Sequence, residues 1–381
     1  MKELAYAPEN VAIPDLRRNC MPSPSHLSRP ARRVFTVTLA ALLAACAPSM
    51  MSASRMTILT PSAAITVPAA QTAKPGPQVV MTEYPIPTPA SLPGGIVVGA
   101  DKTIWFHETG ANRIARLQLD GTLTEYTIPT PEGTEPKQGF LGVAPDGAVW
   151  FTQSAVSKLG RIGPDGGITE MRVPTYNSSP LGLAAGPDGA MWFSEFTAGR
   201  VGRVAPDGKI TEIVLPAHLT GVMGPTVARD GALWFRVRDL KAEAFNLMRM
   251  TTDGTYTLFP LPLGPDGKVI NPLRMTVGPD GAVWFAGAGA SVIGRVTNDG
   301  QITTFPVADM NPVSVTTGPD GAIWFTGWGT HEIGRLTLQG GLSRYPILTE
   351  KGRPYHIVLG PDRALWFTLM DGNKIGRLEV R

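Results

Sequence analysis

The sequence predicts an all-β protein: a seven-bladed β-propeller of four-stranded blades, with the N-terminal strand closing the last blade. Three observations carry this. The dipeptide Trp-Phe recurs at Trp105, Trp150, Trp192, Trp234, Trp284, Trp324 and Trp366, at intervals of 45, 42, 42, 50, 40 and 42 residues. A period of this length, rich in short strands, marks a propeller. Nearly every copy follows a turn of the Gly-Pro-Asp-Gly type. The last repeat also stops early, at Ile375-Gly376-Arg377-Leu378 and the few residues beyond, without a fourth strand. The segment Met81-Thr82-Glu83-Tyr84-Pro85-Ile86-Pro87 supplies one, because it matches Leu123-Thr124-Glu125-Tyr126-Thr127-Ile128-Pro129. Borrowing it closes the ring and removes the open edges of a linear array.

Residues 313 to 347 show one blade. Val313 to Thr317 reads as the innermost strand. Gly318-Pro319-Asp320-Gly321 turns the chain, with Pro presetting φ and Gly supplying positive φ. Ala322 to Thr326 is the second strand, Ile333 to Leu336 the third, and Leu342 to Ile347 the outermost. A Pro is tolerated after the aromatic of that last strand, since an edge can spare a ladder donor. Four strands per repeat is the propeller blade. The 43 Gly and 36 Pro sit largely at fixed offsets, so they punctuate turns. Net charge is +3 without a concentrated basic stripe, so no nucleic-acid partner is expected.

Residues 1–20 look like a mis-assigned start upstream of Met21. Residues 21–45 read as a signal peptide: Arg29, Arg32 and Arg33 precede an apolar run from Val34 to Ala45, too short to span a membrane. Arg32-Arg33-Val34-Phe35 is a weak match to a twin-arginine motif. Leu43-Ala44-Ala45-Cys46 resembles a lipobox, which implies cleavage before Cys46 and lipidation of its thiol. Cys20 lies upstream of that cut, so the mature chain holds no disulfide. Residues 46–78, rich in Ser, Thr, Ala and Pro, read as a tether, and 79–381 as the propeller. The expectation is an exported, membrane-anchored monomer that meets the membrane through its lipid alone.

Residues recurring once per blade are expected to serve the blade. The third-strand cations Arg116, Arg161, Arg203, Arg249, Arg295, Arg335 and Arg377 fall in this class. So do the turn carboxylates Asp146, Asp188, Asp230, Asp280, Asp320 and Asp362. Ligand chemistry should instead show as departures from the repeat at the mouth of the central channel. Eleven residues before each Trp stand Gly94, Gly139, Leu181, Met223, Leu273, Val313 and Tyr355. Tyr355 alone among them offers a hydroxyl. By strand alternation, His356 should then face away from the channel. Three and four residues after each Trp, carboxylates occur only at Glu108 and Glu195, weak metal candidates beside Asp371. The histidines His107 and His331 also sit near these loops. Blade four carries an insertion over Arg236 to Asn246.

The blade motif Gly-Pro-Asp-Gly-Ala-Ile-Trp-Phe-Thr-Gly-Trp-Gly (318–329), followed by Glu332-Ile333-Gly334-Arg335-Leu336, resembles the virginiamycin B lyase family. So does Thr-Glu-Tyr-x-Ile-Pro-Thr-Pro (124–131). The resemblance covers all seven blades. It implies a carbon–oxygen lyase that opens the ester linkage of streptogramin B antibiotics by elimination, with Mg²⁺ polarising the ester and a base removing a proton. It also implies two His and two Glu from the last two blades. Those positions here hold Val313, Arg353, Tyr355 and Met370. The leading expectation is therefore a binding member of the family, taking a small molecule or protein at the mouth through Tyr355, Trp328, Arg353 and Met370, with no cofactor. The alternative is an active Mg²⁺-dependent lyase conferring antibiotic resistance, with His356, Tyr355 and Asp371 as its catalytic candidates.

Overall fold

The computed structural model describes residues 56–58, 76–131 and 139–381. The expected signal peptide, Cys20 and the expected lipidation site Cys46 lie outside the described residues. The described chain forms seven antiparallel sheets, each built from four consecutive strand positions. In blade one these are Pro93–Val98, Ile104–Glu108, Arg113–Leu117 and Leu123–Thr127. Blade seven takes Pro354–Leu359, Leu365–Leu369 and Lys374–Val380 from the C-terminus and Val79–Pro85 from the N-terminus. The closing register runs Val79 opposite Val380 to Pro85 opposite Lys374. The expected ring closure is what the structure shows. Met56–Ile58, inside the segment expected to be a tether, adds a short parallel pairing to Tyr256–Leu258 of blade four's outer strand.

The Trp-Phe dipeptide builds the core because adjacent strand residues point to opposite sheet faces. The Trp of one blade packs with the Phe of the next: Trp105 with Phe151, Trp192 with Phe235, Trp284 with Phe325, Trp324 with Phe367. Trp366 with Phe106 carries the same contact across the closure. Hydrophobic burial is thus spread over the blade-to-blade interfaces. The Gly of the third strand makes room for this: a Cβ on Gly334 would sit 2.1 Å from Phe325 Cζ.

The repeated polar residues lock each blade, as expected. Asp320 accepts from Arg335 Nε at 2.6 Å, from Trp324 Nε1 at 2.9 Å and from the Ala322 amide. The Arg–Asp pair recurs in all seven blades, with Asp101 serving blade one. On its other side the Trp stacks on the outer-strand aromatic, as Trp324 does on Tyr345 at 5.2 Å and Trp366 on Tyr84 at 5.5 Å.

Two irregularities shape the mouth. Innermost strands carry a β-bulge near their start, for example between Pro354 and Ile357 and between Pro272 and Met275. The blade-four insertion lengthens a hairpin: Leu233–Asp239 pairs with Ala244–Met250, with the turn at residues 240–243. Arg236 within it is buried, donates twice to the Gly221 carbonyl and once to Asn271, and lies over Phe245. That residue knits blades four and five together.

Candidate functional site at the channel mouth

A bulge places two consecutive residues against one partner residue, so strict alternation fails there. This corrects the expectation for His356. Its imidazole does not face away: it stacks on the ring of Tyr355, 4.3 Å between centroids and 11° between planes. It meets Arg274 of blade five, Nε to Nε2 at 2.8 Å and Nη2 to Nδ1 at 2.9 Å. It also meets Phe140, which precedes blade two's innermost strand, edge-on at 5.6 Å. Blades two, five and seven are not neighbours in the ring, so these three side chains meet across the central channel. Arg274 completes the group by stacking its guanidinium 3.8 Å from the Phe140 centroid.

From this axial cluster a chain of contacts leads to the rim. Trp328, in the loop after blade six's second strand, meets Tyr355 edge-on at 5.8 Å. Arg353 lies 5.1 Å above Trp328 and pairs with Asp371 at 3.3 Å. Met370 joins through the backbone, its amide donating to the Arg353 carbonyl, while the Asp371 amide donates to Gly352. Opposite lies an apolar wall of Phe140, Leu181 and Met223, with Phe196 and Leu273 against it. The structure therefore gathers Tyr355, His356, Trp328, Arg353, Met370 and Asp371 at one end of the channel.

Glu108 and Glu195 do not join them. Both are fully buried, each directly opposite the Pro that opens its blade's innermost strand. Burial, then Glu125, pushes the Glu108 carboxyl up to about 8. Burial, then Glu212, does the same for Glu195, also to about 8. His107 packs against Phe151, and its Nδ1 occupies the space a Cβ on Gly139 would need. His331 holds a positive-φ turn, with its carbonyl accepting from the Ile347 amide.

The electrostatics of the axis are unusual. Arg274 is half-buried, with protein packed around its guanidinium. Burial pushes it down to about 9, partly offset by Tyr355. Burial, and then the Arg274 charge, hold His356 well below the ordinary imidazole range. His356 is neutral at pH 7 and engaged by a cation. Among the described residues no carboxylate pairs with Arg274, and no three His, Cys, Asp or Glu side chains converge as metal ligands do.

Sequence reasoning missed Arg274. The signal was present one residue further along the repeat. Ten residues before each Trp stand Gly95, Phe140, Gly182, Gly224, Arg274, Ser314 and His356. Arg274 is the one permanent cation in that set, and the bulges turn its position toward the axis.

With this geometry in place, comparison with known proteins is informative. The virginiamycin B lyase family matches over residues 65–235 and 219–381, nearly the whole described chain. The chain belongs to the virginiamycin B lyase family. A solved streptogramin B lyase is 32% identical, with a TM-score of 0.72 over 80% of this chain and 98% of that one. Virginiamycin B lyase from Staphylococcus aureus is 35% identical, with a TM-score of 0.71 over 80% of this chain and 100% of that one. A catalytically inactive variant of the Staphylococcus aureus lyase, solved with quinupristin, matches at 34% identity with a TM-score of 0.71, again over 80% and 100%. A search of curated protein sequences finds no match.

The resemblance to the lyases implies Mg²⁺, and the residues here do not fit it. Mg²⁺ takes oxygen ligands in a near-octahedral shell. Val313 and Met370 offer no oxygen, and Arg353 brings a positive charge. Among the described residues of this rim, the carboxylate Asp371 is already paired with Arg353.

Proposed function

We propose that this chain is a ligand-binding member of the virginiamycin B lyase family and not a Mg²⁺-dependent lyase. It holds a small molecule at the channel mouth. The observation that carries this reading is the Asp371–Arg353–Trp328–Tyr355 array. It puts a guanidinium and two aromatic faces where the resemblance implies a metal and its carboxylates. Aromatic faces suit a flat apolar body, and Arg353 adds a rim donor. The lipobox at Cys46 and the Pro-rich tether support an exported, lipid-anchored monomer displaying this mouth outside the cytoplasm. The test is linearisation of a streptogramin B by the purified full chain, with and without Mg²⁺. The expected result is no Mg²⁺-dependent ring opening. Turnover that requires Mg²⁺ would overturn the reading.

A further inference from the structure

We propose that the axial guanidinium of Arg274 is the floor of the ligand site and recognises a carboxylate, so that the mouth selects apolar or aromatic carboxylic acids. This deepens the binding reading above and rests on it.

The first argument is charge. A cation enclosed by protein is costly unless paired, and Arg274 finds no carboxylate among the described residues. Its neighbours are a neutral imidazole, a phenyl face and Tyr355. The second argument is hydrogen bonding. A neutral imidazole has one acceptor nitrogen. When Nε2 accepts from Arg274 Nε, Nδ1 carries the proton, and the 2.9 Å contact to Nη2 sets donor against donor. The Arg274–His356 pair is therefore rich in donors and short of acceptors, which is the complement of a carboxylate. Arg is also suited to it by geometry, since its planar fork matches two carboxylate oxygens.

The third argument is space. A cavity of about 30 Å³ opens beside Arg274, bounded by Phe140, Gly182, Met223 and Gly224. The two glycines meet backbone to backbone there, where a Cβ on Gly182 would sit 2.0 Å from the Gly224 carbonyl oxygen. The cavity holds one water-sized group, such as a carboxylate oxygen. Towards the mouth stand Leu181, Met223 and Leu273 on one side, with Tyr355 and Trp328 on the other. An acid entering head-first would pass its apolar body between these walls and set its oxygens on the Arg274 donors.

The test is binding of three probes to the full chain at pH 7: phenylacetate, its neutral isostere phenylacetamide, and acetate. The readout is calorimetry in a carboxylate-free buffer at matched ionic strength. Phenylacetate should bind roughly tenfold or more tightly than phenylacetamide, the scale of a charge-assisted hydrogen bond, and more tightly than acetate. Arg274→Met should remove the preference for the acid. Arg274→Lys, which keeps the charge, should retain part of it and controls for folding of the Met variant. Equal binding of acid and amide would overturn the carboxylate assignment and leave the mouth-binding reading standing. Acetate binding as tightly as phenylacetate would overturn the role of the apolar walls while leaving the guanidinium site. Absence of binding by all three probes, or an acid preference that survives Arg274→Met, would overturn the inference.

Discussion

Glu108, Gln153 and Glu195 occupy the same place in blades one, two and three, three residues after the ladder Trp. Gln153 donates to the Thr130 carbonyl and hydrogen-bonds Glu170. Glu108 and Glu195 meet Glu125 and Glu212 in the same way, and at Glu195 the Ser178 hydroxyl offsets only part of the rise. Two carboxyl groups that hydrogen-bond each other must share a proton, and the one whose pKa is raised is the donor. Both are therefore protonated at neutral pH and act as Gln153 does. Their folded pKa, about 8, lies above the ordinary glutamate value of 4.5. The folded state then holds protons that the unfolded state releases between those values. Their contribution is complete below about 4.5 and is lost as pH rises through 8, at about 1.4 kcal/mol per pH unit for each group. Denaturant unfolding of wild type and of Glu108→Gln with Glu195→Gln, at pH 6 and pH 8.5, checks this. The double variant should gain stability relative to wild type as pH rises. A difference that does not change with pH would contradict it. These residues were visible in the sequence only as isolated loop carboxylates. Their burial depends on blade-to-blade packing, which spacing alone does not report.

At the scale of the element, a shared turn does different work from a unique loop. Asp320 binds an amide, an indole and a guanidinium at once. Asp371 is exposed and, among the described residues, pairs with Arg353 across a loop. Asp320→Ala should cost about 2–3 kcal/mol, because it strands a half-buried cation and an indole N–H. Asp371→Ala should cost under about 1 kcal/mol, as an exposed pair does. Thermal or denaturant unfolding of the two variants separates them, and equal losses would contradict the distinction. The locking residues were legible because they recur in register with Trp-Phe. The orientation of His356 was not, because a one-residue bulge breaks the alternation on which the expectation rested. Arg274 was hidden by the equivalent bulge of its own strand, between Pro272 and Met275.

Across the whole molecule, the ring is a uniform frame holding one non-uniform site. Seven Arg–Asp locks and the Trp-to-Phe interfaces repeat around it. Ring closure by Val79–Pro85 was readable from the missing fourth strand of the last repeat, since an unpaired edge demands a partner. The site was legible in part: the ladder gave the register that put Tyr355, Trp328 and Arg353 at the mouth. Cross-channel contacts between blades two, five and seven join residues far apart in sequence, and no local pattern announces them. On the proposed function, this lyase-family frame carries binding side chains at its mouth in place of a metal centre. The measurement that bears on it most directly is Mg²⁺-dependent linearisation of a streptogramin B by two proteins assayed side by side. One is the wild-type chain. The other carries Val313→His, Arg353→Glu, Tyr355→His and Met370→Glu. The account predicts Mg²⁺-dependent opening by the substituted chain and none by the wild type. Comparable Mg²⁺-dependent opening by the wild-type chain would contradict it.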